Sequence, residues 1–214
     1  MATAKRKSPA EKWALPVSQA RSRATRERLL EAAERVFAEK GYDGAKLSDI
    51  AQEADVSVGA VYFRFKDKDA LFQAIAETFT EEARGRFRDY ILGGAQSTAD
   101  EVVRNFVTRT ADNMQMHRGL FRAIIERGFD HPQVMSVMFA FRDEIARALE
   151  NVLSRHGAGG AELGDAVRTA TQMVYGFLLV GILNPRAPTR QNTKAAVTGL
   201  ADAVVAYLGT VMRQ

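Results

Sequence analysis

The chain has 214 residues, 46% hydrophobic and 26% charged, an ordinary globular composition with room for a small N-terminal unit and a larger second one. It has no cysteine, which excludes disulfides, thiolate nucleophiles and cysteine-zinc sites and suits a reducing cytosol. The formal net charge of +4 is unevenly placed: the first 30 residues hold eight Lys or Arg against two acids, which reads either as a phosphate-touching end or as a solvated basic tail.

Residues 1–20 contain Pro9, Pro16 and the only tryptophan, Trp13, without usable periodicity. They predict a flexible basic arm in which Trp13 is either an anchor or a loosely packed aromatic. No apolar signal region follows, and the apolar run at 173–183 is about half of the ~20 residues that span a bilayer. The expectation is a cytoplasmic protein that does not engage a membrane.

From Arg21 the pattern turns helical, with Leu29, Leu30, Ala33, Val36 and Phe37 on one face and Gly41 as terminator. A short helix is predicted over Leu47–Ala54, with Leu47, Ile50 and Ala51 inward. After the turn Asp55-Val56-Ser57, a third helix is predicted over Val58–Phe65, anchored by Val61, Tyr62 and Phe65. Asp67 is placed to cap a further helix whose buried face includes Leu71, Phe72 and Ile75. Beyond it everything reads as helix, broken at 93–97, at Arg118-Gly119, at 128–132, at 157–164 and at 184–189. No period-2 run is flanked by turn residues, so strands are not expected. The predicted fold is all-α, an N-terminal three-helix helix-turn-helix unit followed by a larger helical domain. The expected divisions are 1–20, 21–67 and 68–214.

Two short helices joined by a three-residue turn form the unit that lays its second helix in the DNA major groove. Ser57 can cap that helix, Val58, Gly59 and Ala60 allow close approach, and Tyr62, Arg64 and Lys68 supply polar and cationic groups. The runs RERLLEAAERVFAEKGYDG (26–44) and IAQEADVSVGAVYFRFKDKDALF (50–72) resemble the DNA-binding domain of the TetR family of bacterial transcriptional regulators over about 50 residues. The resemblance implies that Tyr62 and Lys68 hold operator phosphates, that Val58, Gly59, Ala60 and Arg64 face the groove, and that Ser57 starts the helix. Arg64 is suited either to a bidentate guanine contact or to a phosphate, and Val58 and Ala60 to thymine methyls. Thr25 and Arg26 would be further phosphate contacts. For Tyr62 the competing reading is a packed core aromatic, and for Lys68 a solvated lysine. Two positions depart from the family pattern. Ala45-Lys46 stand where a capping Thr or Ser is usual, which leaves Lys46 near the DNA backbone and could shift the helix start. Asp55 replaces the usual turn glycine.

Residues 98–156 are rich in Met and Phe. The resemblance implies an effector-binding domain there, with Met114, Phe121, Met138, Phe139, Gln172 and Tyr175 as candidate lining for an uncharged, apolar or aromatic small molecule. Simple core packing is the competing reading for each. Two final helices, about 161–183 and 190–212, carry many Ala and Gly. In the family such helices pair two subunits, so a homodimer on a pseudo-palindromic double-stranded operator is expected.

His117, His131 and His156 lie on separate segments without metal-ligand spacing, and GAGGAELG (157–164) matches no nucleotide-binding pattern. No catalytic constellation and no cofactor are expected. The functional expectation is an effector-released repressor; the alternative is a DNA-binding regulator or architectural protein governed by a protein partner.

Overall fold

The computed structural model describes residues 17–92, 98–156, 161–183 and 194–212, and among these every regular element is helical. Helix α1 (Val17–Gly44) begins directly after Pro16, earlier than Arg21, where the apolar stripe starts. Leu29, Leu30, Ala33, Val36 and Phe37 are all buried. Gly41, at φ 71° and ψ 173°, breaks the helix in a conformation that a side chain makes costly, so the chain turns sharply before residues 42–44.

Helix α2 (Leu47–Glu53) starts where the periodicity puts it, despite the missing cap. Asp49, at the third helical position, accepts the Lys46 N–H at 3.2 Å and binds the Lys40 ammonium at 2.9 Å. That is the acidic half of a capping box without its hydroxyl half. The Lys40 bond, reinforced by the Lys46 N–H, holds the Asp49 carboxyl below its usual range. Asp55 then takes φ 52°, the left-handed turn expected of it in place of glycine. Helix α3 (Val58–Tyr62) is shorter than predicted and closes in a turn at Phe63. Helix α4 (Lys68–Leu92) is capped by Asp67, whose Oδ1 accepts the Ala70 N–H at 2.8 Å.

Helix α5 (Ala99–Met116) opens with a complete capping box between Thr98 and Glu101. Helix α6 (Arg118–Arg127) follows His117, and a short 3₁₀ turn (Gly128–Asp130) leads into α7 (Pro132–Leu153), with Pro132 at its first turn. A second 3₁₀ turn (Ser154–His156) precedes α8 (Ala161–Leu183), and α9 (Lys194–Met212) completes the described chain. The breaks expected at 93–97 and 184–189, the first half of 157–164, and Trp13 with the rest of residues 1–16 lie outside the described residues. Helix α4 packs on α7, α5 on α8 and α9, and α8 on α9. Among the described residues the broadest helix-to-helix packing is between α1 and α6, so the N-terminal helices are seated directly on the C-terminal ones.

Among the described residues one helix, α9, is long and apolar enough to cross a membrane, with a mean hydropathy of 1.6. Leu200, Ala201, Val204 and Leu208 bury one side of it, yet only 22% of its apolar window is covered. Val180 and Met173 on α8 are likewise about half exposed.

Arg84 on α4 grips Glu144 on α7 through two bonds of 2.7 and 3.0 Å. Those bonds hold the Glu144 carboxyl below its usual range. A carboxylate depressed on folding stabilises above its ordinary pKa, and the contribution disappears as the pH falls through the folded-state value. Glu144→Gln should therefore melt below wild type at neutral pH, with the gap closing as the pH falls below about 4.5. A gap that is constant across that range in thermal melts would show that the pair contributes nothing.

Candidate nucleic-acid interface and effector cavity

The recognition unit is built from the inside outward. Ile50, Ala51, Ala54, Val61 and Phe65 are buried, with α2 packed on α1 and α3 packed on α2. Because Val61 and Phe65, four apart, define the inward side, Tyr62 and Phe63 between them are turned out. Tyr62 is 58% exposed and Phe63 83% exposed, while Val58 is 41% exposed one turn earlier. Tyr62 is thus a presented side chain, and the anchoring role expected of it falls to Val61 and Phe65 alone. The Ser57 hydroxyl accepts the Ala60 N–H at 3.2 Å, so the predicted cap is in place. Ser57 and Gly59 are exposed, and Ala60 is half-buried on the same turn.

The cations are arranged less simply than their spacing suggests. Lys46, Lys66 and Arg26 are exposed, and Thr25 is half-buried with its hydroxyl donating to the Arg21 carbonyl at 2.9 Å. Arg64 folds back, donating to the Ala60 carbonyl at 3.0 Å, with its guanidinium 5.7 Å from the Phe63 ring centre and its Nε buried without a partner. In this rotamer Arg64 does not project as a base-reading fork. Lys68 is half-buried and not a plain solvated lysine. Its ammonium donates to the Tyr42 carbonyl at 2.7 Å and the Ala45 carbonyl at 3.0 Å, and sits 4.4 Å from the Tyr42 ring centre. The Tyr42 hydroxyl in turn bonds Asp69, and burial, reinforced by that carboxylate, raises the phenol pKa far above its usual range.

A cavity of about 490 Å³ opens among α4, α5, α6, α7 and α8. Its apolar wall is Phe79, Ala83, Met114, Phe121, Phe141 and Ile145, with Phe79 edge-on to Phe121 at 5.3 Å and to Phe141 at 5.9 Å. Arg86, Arg109, Thr110, Asp112 and Asn113 add polar groups, and Met116 and Tyr175 complete the lining. Desolvation pushes the Tyr175 phenol well above its usual pKa, which keeps it neutral. Among the described residues no group of three His, Asp or Glu is placed to hold a metal.

Residues 29–75 match the sequence profile described as bacterial regulatory proteins, tetR family. Those residues form a DNA-binding domain of the tetR type. The chain is 33% identical over 120 residues to the Escherichia coli K12 transcriptional regulator UidR, covering 56% of this chain and 60% of that one. It is 51% identical over 51 residues to the Brucella suis transcriptional repressor BepR, 24% of each chain. The chain spans about 60% of the length of the UidR proteins it matches. A transcriptional regulator from Rhodococcus sp. Rha1 shares the fold at TM-score 0.69 and 21% identity, covering 88% of this chain and 96% of that one. Salmonella enterica GusR does so at TM-score 0.62 and 20% identity, covering 92% and 99%.

Of the six lining residues expected from the tetR resemblance, Met114, Phe121 and Tyr175 border the cavity. Met138 is buried in the core and does not line the cavity. Phe139 is 43% exposed, carrying the Arg142 guanidinium 5.1 Å from its ring centre. Gln172 lies in a separate cleft between α7 and α8, where its side-chain oxygen accepts from Arg142 at 3.2 Å. The buried stripe of α7 (Val134, Met138, Phe141, Ile145) passes Phe139 by, and that of α8 (Val167, Ala170, Val174, Leu178) passes Gln172 by. Sequence reasoning does not find Phe79, Phe141 or the polar residues of α5, since they converge only through tertiary packing. It also passes over Phe63, though a position between Val61 and Phe65 is a signal for it.

Proposed function

We propose that this chain is a cytoplasmic transcriptional repressor of the tetR family that binds a pseudo-palindromic operator as a homodimer and is released by a small effector. The observation carrying the DNA-binding half is the presented row of Val58 and Tyr62 on a helix whose start is capped by Ser57, continued by Phe63 in the turn that closes it. Such a row can enter the major groove with apolar and hydroxyl contacts to base edges and phosphates while Arg26 and Lys46 flank it. Two copies brought together through the half-covered apolar sides of α8 and α9 would present two recognition helices about 34 Å apart, one turn of DNA. The effector would seat its aromatic or apolar body against Phe79, Phe121 and Phe141, with a polar end toward the Arg86 and Asn113 side.

The test is selection from a random duplex pool by the full chain, followed by affinity measurements at several salt concentrations. Tyr62→Ala and Lys68→Ala should weaken binding at every sequence. Lys68→Ala should also lower the salt slope, by about 0.9 for a phosphate that is no longer neutralised. Arg64→Ala should relax base preference if the side chain swings out to a guanine. Unchanged affinity and slope in all three variants would overturn the placement of the recognition helix. An apolar-compound screen by thermal shift then separates the two modes of control. Binders that raise the melting point and release the duplex support the effector, whereas binders that never release it favour control by a protein partner.

A further inference from the structure

Between the recognition unit and the cavity lies a cluster of side chains that neither role requires. The corner at residues 38–45, where α1 ends, is gripped from α6. Arg122 donates to the Ala38 carbonyl at 2.8 Å and the Glu39 carbonyl at 3.1 Å. Its Nε holds Glu126 at 2.8 Å, and Glu126 accepts the Tyr42 N–H at 2.6 Å. Arg127 adds a bond to Asp43 at 2.8 Å. Gly41 is what lets this pair in, since a Cβ there would stand 2.6 Å from one Glu126 oxygen and 2.8 Å from the other. The far side of the same corner supplies the seat of Lys68, namely the Tyr42 and Ala45 carbonyls and the Tyr42 ring.

We propose that Arg122 and Glu126 are positioning residues for DNA binding: they fix the corner that holds Lys68, and so set where its charge stands relative to the phosphate backbone. The inference rests on the DNA-binding function proposed for this chain and deepens it. The physical reason is the chain of bonds. The last carbonyls of a helix have no partner within it, and a guanidinium nitrogen shared between two of them satisfies both in a fixed geometry. A charged carboxylate bonded to the next backbone N–H then leaves residue 42 little room to rotate. The Tyr42 carbonyl, in the peptide unit directly after that bonded N–H, is one of two oxygens on which the Lys68 ammonium rests. Glu126 therefore acts on DNA affinity through Lys68 and not by touching DNA.

The experiment uses the full-length protein and a duplex selected by wild type from a random pool. Affinity is measured against salt concentration for Lys68→Met, Glu126→Ala, Glu126→Gln and the double variant Glu126→Ala/Lys68→Met. Lys68→Met should lower the salt slope by about 0.9. Glu126→Ala should lower it by a similar amount, Glu126→Gln, which keeps an acceptor for the Tyr42 N–H, should restore most of it, and the double variant should be no lower than Lys68→Met. If Glu126→Ala keeps the wild-type slope, or if the double variant shows the sum of the two single effects, the proposal is overturned. If Glu126→Ala does not fold, Arg122→Lys, which keeps the charge and removes the fork, is carried through the same cycle under the same criteria. A wild-type protein that selects no duplex sinks the DNA-binding function itself, a result distinct from either failure within the cycle.

Discussion

Gly119→Ala should lower stability by an amount at or above the upper end of the ~1–3 kcal/mol that overpacking costs. At this position a Cβ would stand 1.9 Å from the Glu34 carbonyl oxygen and 2.7 Å from its carbon. These are backbone atoms inside α1, so no side-chain rotation relieves the clash and the two helices must separate. The neighbouring His117, whose Nδ1 lies 3.1 Å from both Glu34 carboxylate oxygens, would be pulled from its partner by the same movement. In a chain of this size each kcal/mol is worth roughly 2–4 °C of melting temperature. Gly85→Ala is the matched control, because nothing lies within 4 Å of its added Cβ and alanine is the better helix former. If Gly119→Ala melts no lower than Gly85→Ala, α1 and α6 do not approach each other this closely.

Phe72→Ala should cost about 3–5 kcal/mol, the range for truncating a fully buried phenylalanine. Phe72 has no exposed surface and sits among three other rings: edge-on to Phe37 at 6.2 Å and to His131 at 5.4 Å, and tilted on Tyr42 at 5.2 Å. Phe37 and Tyr42 belong to α1 and His131 to the start of α7, so the cavity would open where the N-terminal and C-terminal helices meet. Urea unfolding measures the loss. A drop below about 1 kcal/mol would mean the site collapses around the missing ring. Because the cluster spans both groups of helices, unfolding should remain a single transition in wild type and broaden or split in the variant.

Most of the helical plan is legible in local chemistry. Gly41, Ser57, Asp55 and Asp67 each announce a terminus, turn or cap by residue type alone, and the structure uses all four in that way. The end of α3 is not legible, because the Val61–Phe65 spacing continues through the turn that closes it and apolar periodicity overruns the hydrogen-bonded helix. The start of α2 looks weak when only the missing hydroxyl is weighed, but Asp49, three residues on, supplies the carboxylate half of the box. For Lys68, sequence spacing offers an outward-facing lysine, and only the fold brings carbonyls 23 and 26 residues away beneath its ammonium. The cavity is half legible for the same reason. Composition shows that Met and Phe are abundant, but which of them border a void depends on how five helices cross.

The seat of Lys68 has an entropic consequence. A surface lysine that closes on a phosphate surrenders up to about 2 kcal/mol of rotamer freedom at that moment. Lys68, resting on two carbonyls and an aromatic face, has surrendered most of that freedom on folding. Any anion it meets then encounters a charge already in position, and ordering this side chain no longer opposes association.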